Sequence, residues 1–252
     1  MKTLESLIQE GLPALGLSCN EDMLRRFRLY FEALEESGKF MNLTAIHGEE
    51  DVTHLHFLDC AALLSLADFN EKTVFDIGTG AGFPGLVLKI CDPTIRLTLL
   101  DSLDKRVEFL RATCSNLGFS DVSCLHARAE EAVIHQRETA DIVTSRAVAG
   151  LNVLSELCLP YVKEGGLFIA MKGPSYDEEL AAAKPAVQKL GGKTEHCETY
   201  TIPGTDVAHS AILIRKTAKT PHRAQLPAYR PVPMEPESRR HRCCPHRSTS
   251  ER

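Results

Sequence analysis

A glycine-rich segment near residue 80 has the residue types and spacing of a nucleotide-binding loop. The apolar run Val74-Phe-Asp-Ile77 leads into Gly78-Thr-Gly-Ala-Gly-Phe-Pro-Gly85, and a second apolar run, Leu97–Leu100, ends in Asp101. A strand, a glycine turn that opens a helix and an acidic residue after the next strand form a unit that binds adenosine-bearing ligands. The spacing therefore predicts a pocket for such a ligand.

The charges around this loop indicate which ligand it binds. Gly80-x-Gly82-x-x-Gly85 matches the dinucleotide fingerprint, so a nicotinamide or flavin enzyme is one interpretation. However, Asp76 lies two residues before Gly78, and a carboxylate beside a helix N-terminus disfavours an anionic pyrophosphate. S-adenosylmethionine has no phosphate, and a carboxylate favours its sulfonium and ammonium groups. A predicted hairpin after the fifth strand also fits an antiparallel last strand better than another parallel unit. These features favour S-adenosylmethionine.

Polar residues follow the other predicted strands, and ligands of open α/β sheets gather at these strand ends. Asp101 is suited to accept two hydrogen bonds from the ribose diol. Ala129 and Glu130 follow the third strand, where they would border the adenine. Arg146 and Lys172 follow the fourth and fifth strands. Arg146 suits either the methionine carboxylate or an RNA base or phosphate.

The order of predicted elements indicates the fold class. Residues 72–216 alternate apolar strands with helices, which is typical of an α/β protein with crossover helices. With its closing hairpin, this region predicts a class I S-adenosylmethionine-dependent methyltransferase core, Rossmann-like, with a seven-stranded, mostly parallel sheet and an antiparallel last strand. Residues 1–71 predict an N-terminal helical extension packed on that core. Residues 217–252 form a basic tail rich in proline and arginine, predicted to be disordered.

A predicted helix over residues 49–66 carries His56 and Asp59 three positions apart, so both are expected on one face. By itself, this spacing does not separate a catalytic pair from a buried histidine or a surface pair.

Composition argues against several classes of protein. The N terminus has no signal-peptide core, and no apolar run approaches the roughly 20 residues of a membrane span, so we expect a cytoplasmic protein without membrane contact. Most of the nine cysteines are scattered through apolar contexts. Only His241-x-Cys-Cys-x-His246 has the composition of a metal site, and adjacent cysteines fit one tetrahedral shell poorly. The sequence therefore predicts no metal site.

Several motifs together resemble those of the RsmG (GidB) family of 16S ribosomal RNA guanine-N7 methyltransferases. They are Asp76–Gly85, Leu99–Leu110, Ser145–Ala147 and Lys172-Gly173, with Asn42–Thr44 and His56–Asp59 nearer the N terminus. The resemblance spans roughly residues 4–216. It implies a bacterial cytoplasmic enzyme that uses S-adenosylmethionine to methylate N7 of one guanine in 16S rRNA. The partner would be the small ribosomal subunit, and we expect a monomer.

The resemblance also implies roles for individual residues. The family's cofactor contacts carry over onto Gly78, Phe83, Ala129, Glu130 and Arg146. Together with the residues chosen above, the predicted cofactor-binding set is Asp76, Gly78, Gly80, Phe83, Asp101, Ala129, Glu130 and Arg146. Guanine N7 has an in-plane lone pair, so methyl transfer needs no deprotonation of the nucleophile. Arg146, Lys172 and His56 are therefore predicted to orient the guanine or its phosphate rather than to move a proton.

The chain departs from the family pattern in two places. Cys60 stands where the family usually has serine, and the sequence after about Arg223 departs from the family's usual basic, proline-containing end. A shifted reading frame and simple divergence both explain that end. Residues 217–252 carry eight lysines and arginines against three glutamates, which leaves residues 1–216 with a net charge of −10. Since phosphate neutralisation drives binding to bare RNA, an assembled ribosomal particle is the more favourable substrate.

Two other functions stay open at this stage. The same fold hosts methyltransferases that act on small molecules or proteins, because fold does not fix substrate. A non-catalytic RNA-binding protein with an adenosyl pocket is the third interpretation.

Overall fold

The computed structural model describes residues 2–146 and 149–221. Seven strands form one sheet: β1 (Thr73–Ile77), β2 (Arg96–Asp101), β3 (Ser123–His126), β4 (Ala140–Arg146), β5 (Val162–Lys172), β6 (Gly192–Thr201) and β7 (Ala208–Lys216). Their order is β3-β2-β1-β4-β5-β7-β6. The first five strands are parallel, and β7 runs antiparallel between β5 and β6. The predicted class I methyltransferase sheet is confirmed.

Within the described residues, four α-helices precede the first strand, and five more lie between strands; together they cover both faces of the sheet. They are α1 (Leu4–Ala14), α2 (Glu21–Gly38), α3 (Glu49–Val52), α4 (Asp59–Ala61), α5 (Gly85–Cys91), α6 (Asp104–Asn116), α7 (Ala129–Gln136), α8 (Leu151–Cys158) and α9 (Asp177–Lys189). The Thr3 and Asn20 side chains cap α1 and α2 by accepting backbone N–H bonds from Ser6 and Met23. Such caps satisfy amide groups that the first helical turn leaves unpaired.

The predicted helix over residues 49–66 exists, but it is not a uniform α-helix. A π-helical turn, Thr53–Leu58, separates α3 from α4, and a 3₁₀ turn, Ala62–Ser65, follows. His56 lies in the π-helical turn and Asp59 begins α4. Both side chains are buried, so neither belongs to a surface pair.

Two apolar clusters form the core. One combines side chains of α1 and α2, such as Leu12 and Phe27, with sheet residues such as Leu97 and Leu213. The other packs α7, α8 and α9 against the opposite face. The N-terminal helices therefore share a core with the sheet, and the domain boundary at residue 71 stays a prediction.

The start of the predicted tail packs against the core. The Thr220 side chain is buried, and its Oγ1 donates to the Leu190 carbonyl at 2.9 Å while its N–H donates to Glu138 Oε1 at 2.7 Å. The rest of the tail, with the sequence change after Arg223 and the His241–His246 cluster, lies outside the described residues. Within the described residues, no helix is both long and apolar enough to span a membrane.

Tyr30 ties the N-terminal helices to the glycine loop. Tyr30 belongs to α2, and its ring is fully buried. The ring centroid lies 5.4 Å from the ring centroids of Phe57 and Phe83. Its hydroxyl donates to the Ala81 carbonyl at 2.6 Å. A Cβ at Gly82, where φ is +106°, would lie 2.7 Å from the Tyr30 hydroxyl, so this contact itself requires glycine.

We expect Tyr30→Phe to lower the free energy of unfolding by about 1–2 kcal/mol, because it leaves a buried carbonyl without its donor. Urea denaturation followed by circular dichroism measures the change. Tyr176→Phe is the matched control, since the Tyr176 hydroxyl forms no hydrogen bond among the described residues. Equal stabilities of the two variants would contradict a coupling of α2 to the loop through this bond.

Candidate functional site

Asp76 in β1 supports the glycine loop that connects β1 to α5, on the side of the loop that faces the protein interior. This carboxylate is fully buried. Its Oδ2 accepts from the Thr79 hydroxyl at 2.6 Å and from the Gly85 N–H at 2.9 Å, and its Oδ1 accepts from the Thr144 hydroxyl at 3.1 Å. Burial raises the pKa of Asp76 to about 6, against the opposing effect of these three donors. Asp76 thus lies beneath the loop, with its oxygens directed at protein donors.

Asp101 connects this loop to the end of β2. Its Oδ2 accepts from the Gly80 N–H and its Oδ1 from the Leu103 N–H, both at 2.9 Å. The guanidinium of Arg106 lies 3.5 Å from Oδ2. A carboxylate has about four lone-pair sites, so Asp101 keeps acceptor capacity toward a ligand.

A cavity of about 440 Å³ opens above the loop. Its lining residues are Leu43, Thr44, His56, Gly78, Thr79, Gly80, Ala81, Phe83, Asp101, Ser102, Leu103, Arg106 and Arg146. Six predicted site residues therefore meet here: His56, Gly78, Gly80, Phe83, Asp101 and Arg146.

The other four predicted residues do not line this cavity. Asp76 lies beneath it, as described above. The Ala129 carbonyl accepts from Tyr161 at 2.6 Å, and Glu130 pairs with Arg128 at 3.1 Å. These two roles in cofactor binding stay predictions.

Lys172 is the fourth of these residues. Its Nζ donates to the Ala149 carbonyl at 2.8 Å and to Glu179 Oε1 at 2.7 Å. Lys172 therefore forms an ion pair with Glu179 of α9. Ala147, part of the Ser145–Ala147 motif, lies outside the described residues.

Arg146 and His56 form one wall of the cavity. The Arg146 guanidinium lies 4.7 Å from the Phe83 ring centroid, and the His56 ring stacks on the same residue at 4.4 Å. Arg146 donates to His56 Nδ1 at 2.9 Å and to the Leu55 carbonyl at 3.3 Å. Burial and the Arg146 charge lower the pKa of His56 to about 3, so the imidazole is neutral at physiological pH.

Asp59 supplies the counter-charge behind this wall. Its Oδ2 lies 3.5 Å from the Arg146 guanidinium. Its Oδ1 accepts from the Tyr200 hydroxyl and from His209 Nδ1, both at 2.9 Å. Asp59 raises the pKa of His209 through this bond. No motif or spacing in the sequence indicates Tyr200 or His209, which lie 141 and 150 residues from Asp59.

The arrangement favours binding and orientation over proton transfer. The cavity has a carboxylate at Asp101, a fixed cation at Arg146 and a neutral imidazole whose nitrogens both bond to protein atoms. Among the described residues, no group of three or more His, Cys, Asp or Glu side chains could hold a metal ion.

Comparisons with known proteins match both the sequence and the fold. The family described as rRNA small subunit methyltransferase G (GidB) matches residues 23–206. The ribosomal RNA small subunit methyltransferase G of Clostridium perfringens is 44% identical over 218 residues, which cover 85% of this chain and 91% of that protein.

Two solved structures share the fold at lower identity. TrmN from Thermus thermophilus has a TM-score of 0.50 at 23% identity, over 62% of this chain and 48% of that chain, so the match spans about half of TrmN. A precorrin-6y C5,15-methyltransferase from Geobacter metallireducens has a TM-score of 0.50 at 16% identity, over 71% and 95% of the two chains. At these identities, the likeness concerns the fold alone.

Asp76 gives a test of the loop support. We expect Asp76→Ala to lower the free energy of unfolding by about 3 kcal/mol or more, because three buried donors lose their acceptor. Asp76→Asn keeps an acceptor for two of them and should cost much less. Urea denaturation of both variants measures the difference.

The stability difference between wild type and Asp76→Asn should also depend on pH. The folded pKa of about 6 lies above the ordinary 3.8, so between these values the folded protein binds the proton more tightly than the unfolded chain does. Wild-type stability relative to Asp76→Asn should therefore fall by about 1 kcal/mol from pH 5 to pH 8. A difference that is constant or rises with pH would contradict a raised pKa.

Proposed function

We propose a function for this chain from the premise that it belongs to the rRNA small subunit methyltransferase G family. The protein transfers a methyl group from S-adenosylmethionine to N7 of one guanine in bacterial 16S rRNA. The observation that carries this proposal is the cavity in which the glycine loop, Asp101 and Arg146 meet.

The residues around the cavity fit S-adenosylmethionine. A volume of about 440 Å³ lies in the range of small-molecule sites. Glycines at positions 78 and 80 have φ of +69° and +61°, and with no side chain there the backbone can approach a ligand closely. Asp101 has acceptor capacity for a ribose diol, and Arg146 offers a cation to a carboxylate. Bound S-adenosylmethionine supplies the electrophilic methyl group.

The chain's own residues contribute positioning. Guanine N7 has a free lone pair, so the reaction requires no general base, in agreement with the neutral, fully bonded His56. Holding N7 in line with the methyl group and excluding water can supply several kcal/mol of barrier reduction. Arg146 and His56 form a rigid wall for this purpose. We assign Lys172 a supporting role, since its bonds connect the Ala149 carbonyl to Glu179 of α9.

The proposed partner is the small ribosomal subunit, and the reaction takes place in the cytoplasm. The net charge of −10 over residues 1–216 favours an assembled particle over bare RNA. Four large apolar residues are exposed within the described chain: Phe40, Leu103, Ile134 and Val207. We propose that the protein acts as a monomer.

A methyl-transfer assay tests the proposed function. Purified protein is incubated with methyl-labelled S-adenosylmethionine and small ribosomal subunits from a strain that lacks the activity, with naked rRNA in parallel. We expect label in N7-methylguanosine, identified by mass spectrometry after nuclease digestion. Label on a ribosomal protein or a small molecule, or cofactor binding without transfer, would contradict the proposal.

Substitution of Arg146 tests the assignment of the cavity wall. We expect Arg146→Ala to lower the transfer rate about tenfold or more, because charge-assisted hydrogen bonds are lost. Since this change also removes the guanidinium beside the buried Asp59, a second variant, Arg146→Lys, keeps the charge while removing the forked donor geometry. The matched control is Arg96→Ala. Arg96 is exposed and begins β2, whereas Asp101 at the other end of that strand lines the cavity. Full activity of both Arg146 variants would refute the assignment.

A further inference from the structure

A chain of hydrogen bonds with one fixed direction runs from Arg146 into the cavity. A guanidinium can only donate, so His56 Nδ1, 2.9 Å from Arg146, must accept and carries no proton. The neutral imidazole therefore carries its proton on Nε2. That nitrogen lies 2.7 Å from Thr44 Oγ1 and donates to it.

This direction leaves Thr44 with a single hydrogen-bonding capability. Its Oγ1 also accepts from the Ile46 N–H at 3.0 Å. A hydroxyl has two acceptor lone pairs and one donor proton, and here both lone pairs are occupied. No hydrogen bond among the described residues uses the hydroxyl proton, and Thr44 lines the cavity. The side chain thus presents a donor, and no acceptor, to a ligand.

We propose that Thr44 is the residue that selects guanine, by donating its hydroxyl proton to O6 of the base that receives the methyl group. This inference rests on the function proposed above. Guanine offers two acceptors on one edge, N7 and O6, whereas adenine offers N7 beside an amino donor. If N7 faces the methyl group, O6 is the acceptor left for Thr44.

The hydrogen-bond network creates the selectivity. A threonine hydroxyl in water can rotate to donate or to accept and would tolerate either purine. With its lone pairs held by Ile46 and His56, the same hydroxyl would face the adenine amino group donor to donor. Sites built to bond one polar group reject an analogue that lacks it, because the site's own group is left unpaired.

The test combines a change in the enzyme with a change in the base. The first substrate is a small subunit reconstituted with unmodified rRNA. The second carries 2-aminopurine at the position that the wild-type enzyme labels, which keeps N7 and replaces O6 by hydrogen. We expect Thr44→Val to lower kcat/KM about tenfold on guanine, and Thr44→Ser to recover most of that loss. On 2-aminopurine, Thr44→Val should differ from wild type by less than twofold, as a double-mutant cycle requires for a direct contact.

Two controls keep the inference falsifiable. Thr139→Val removes a hydroxyl that bonds to the Gln136 carbonyl outside the cavity and should leave both substrates unaffected. Calorimetric titration with S-adenosylmethionine should give the same Kd for wild type and Thr44→Val.

The possible outcomes separate this inference from the function on which it rests. An equal loss on both bases would assign Thr44 a merely structural role, and a tenfold weaker cofactor affinity would assign its proton to the cofactor carboxylate; either result overturns the proposal. A wild-type enzyme that labels no guanine N7 would overturn the proposed function together with it. Normal guanine labelling with an unaffected Thr44→Val would overturn this inference alone.

Discussion

The partly buried guanidinium of Arg146 is the constraint around which the site is built. Removing such a charge from water costs several kcal/mol unless carboxylates and hydrogen-bond acceptors replace the solvent. Here the replacements come from other parts of the chain: the Leu55 carbonyl, His56 and Asp59 from the N-terminal extension and Phe83 from the glycine loop. The β6–β7 hairpin adds two donors to Asp59. Extension, core and hairpin therefore meet at one charge.

That charge also fixes the protonation of its neighbours. Arg146 can only donate, which forces the accepting nitrogen on His56 and disfavours an imidazolium. A histidine in a cavity is usually considered first as an acid or base. In this environment, with a pKa lowered to about 3, it transmits a direction of hydrogen bonding instead. Such a site is suited to a nucleophile that already has its lone pair.

The sequence was informative where local rules determine the structure. Carboxyl ends of parallel strands share one sheet edge, so Asp101 and Arg146 could be assigned to a common cavity from strand order alone. Other contacts depend on packing between distant segments. Asp59 forms hydrogen bonds to Tyr200 and His209, which are 141 and 150 residues away in the sequence. No spacing in the sequence predicts these bonds. The position of Lys172 depends on where α9 brings Glu179, and the π-helical turn at His56 has no signature in the apolar periodicity.

Asp76 shows what packing adds to a local sequence pattern. The sequence suggests a carboxylate near the sulfonium and ammonium groups of the cofactor, and in the structure this carboxylate accepts three hydrogen bonds beneath the glycine loop. Supporting the loop does not by itself require a charge, because an amide oxygen can accept hydrogen bonds from the same loop donors. Burial makes the ionised form of Asp76 costly, as its pKa of about 6 indicates. A buried anion under a loop is favourable when the loop binds a cation, since Coulomb attraction acts over several ångströms in a medium of low dielectric. A sulfonium ligand supplies that cation and a pyrophosphate does not.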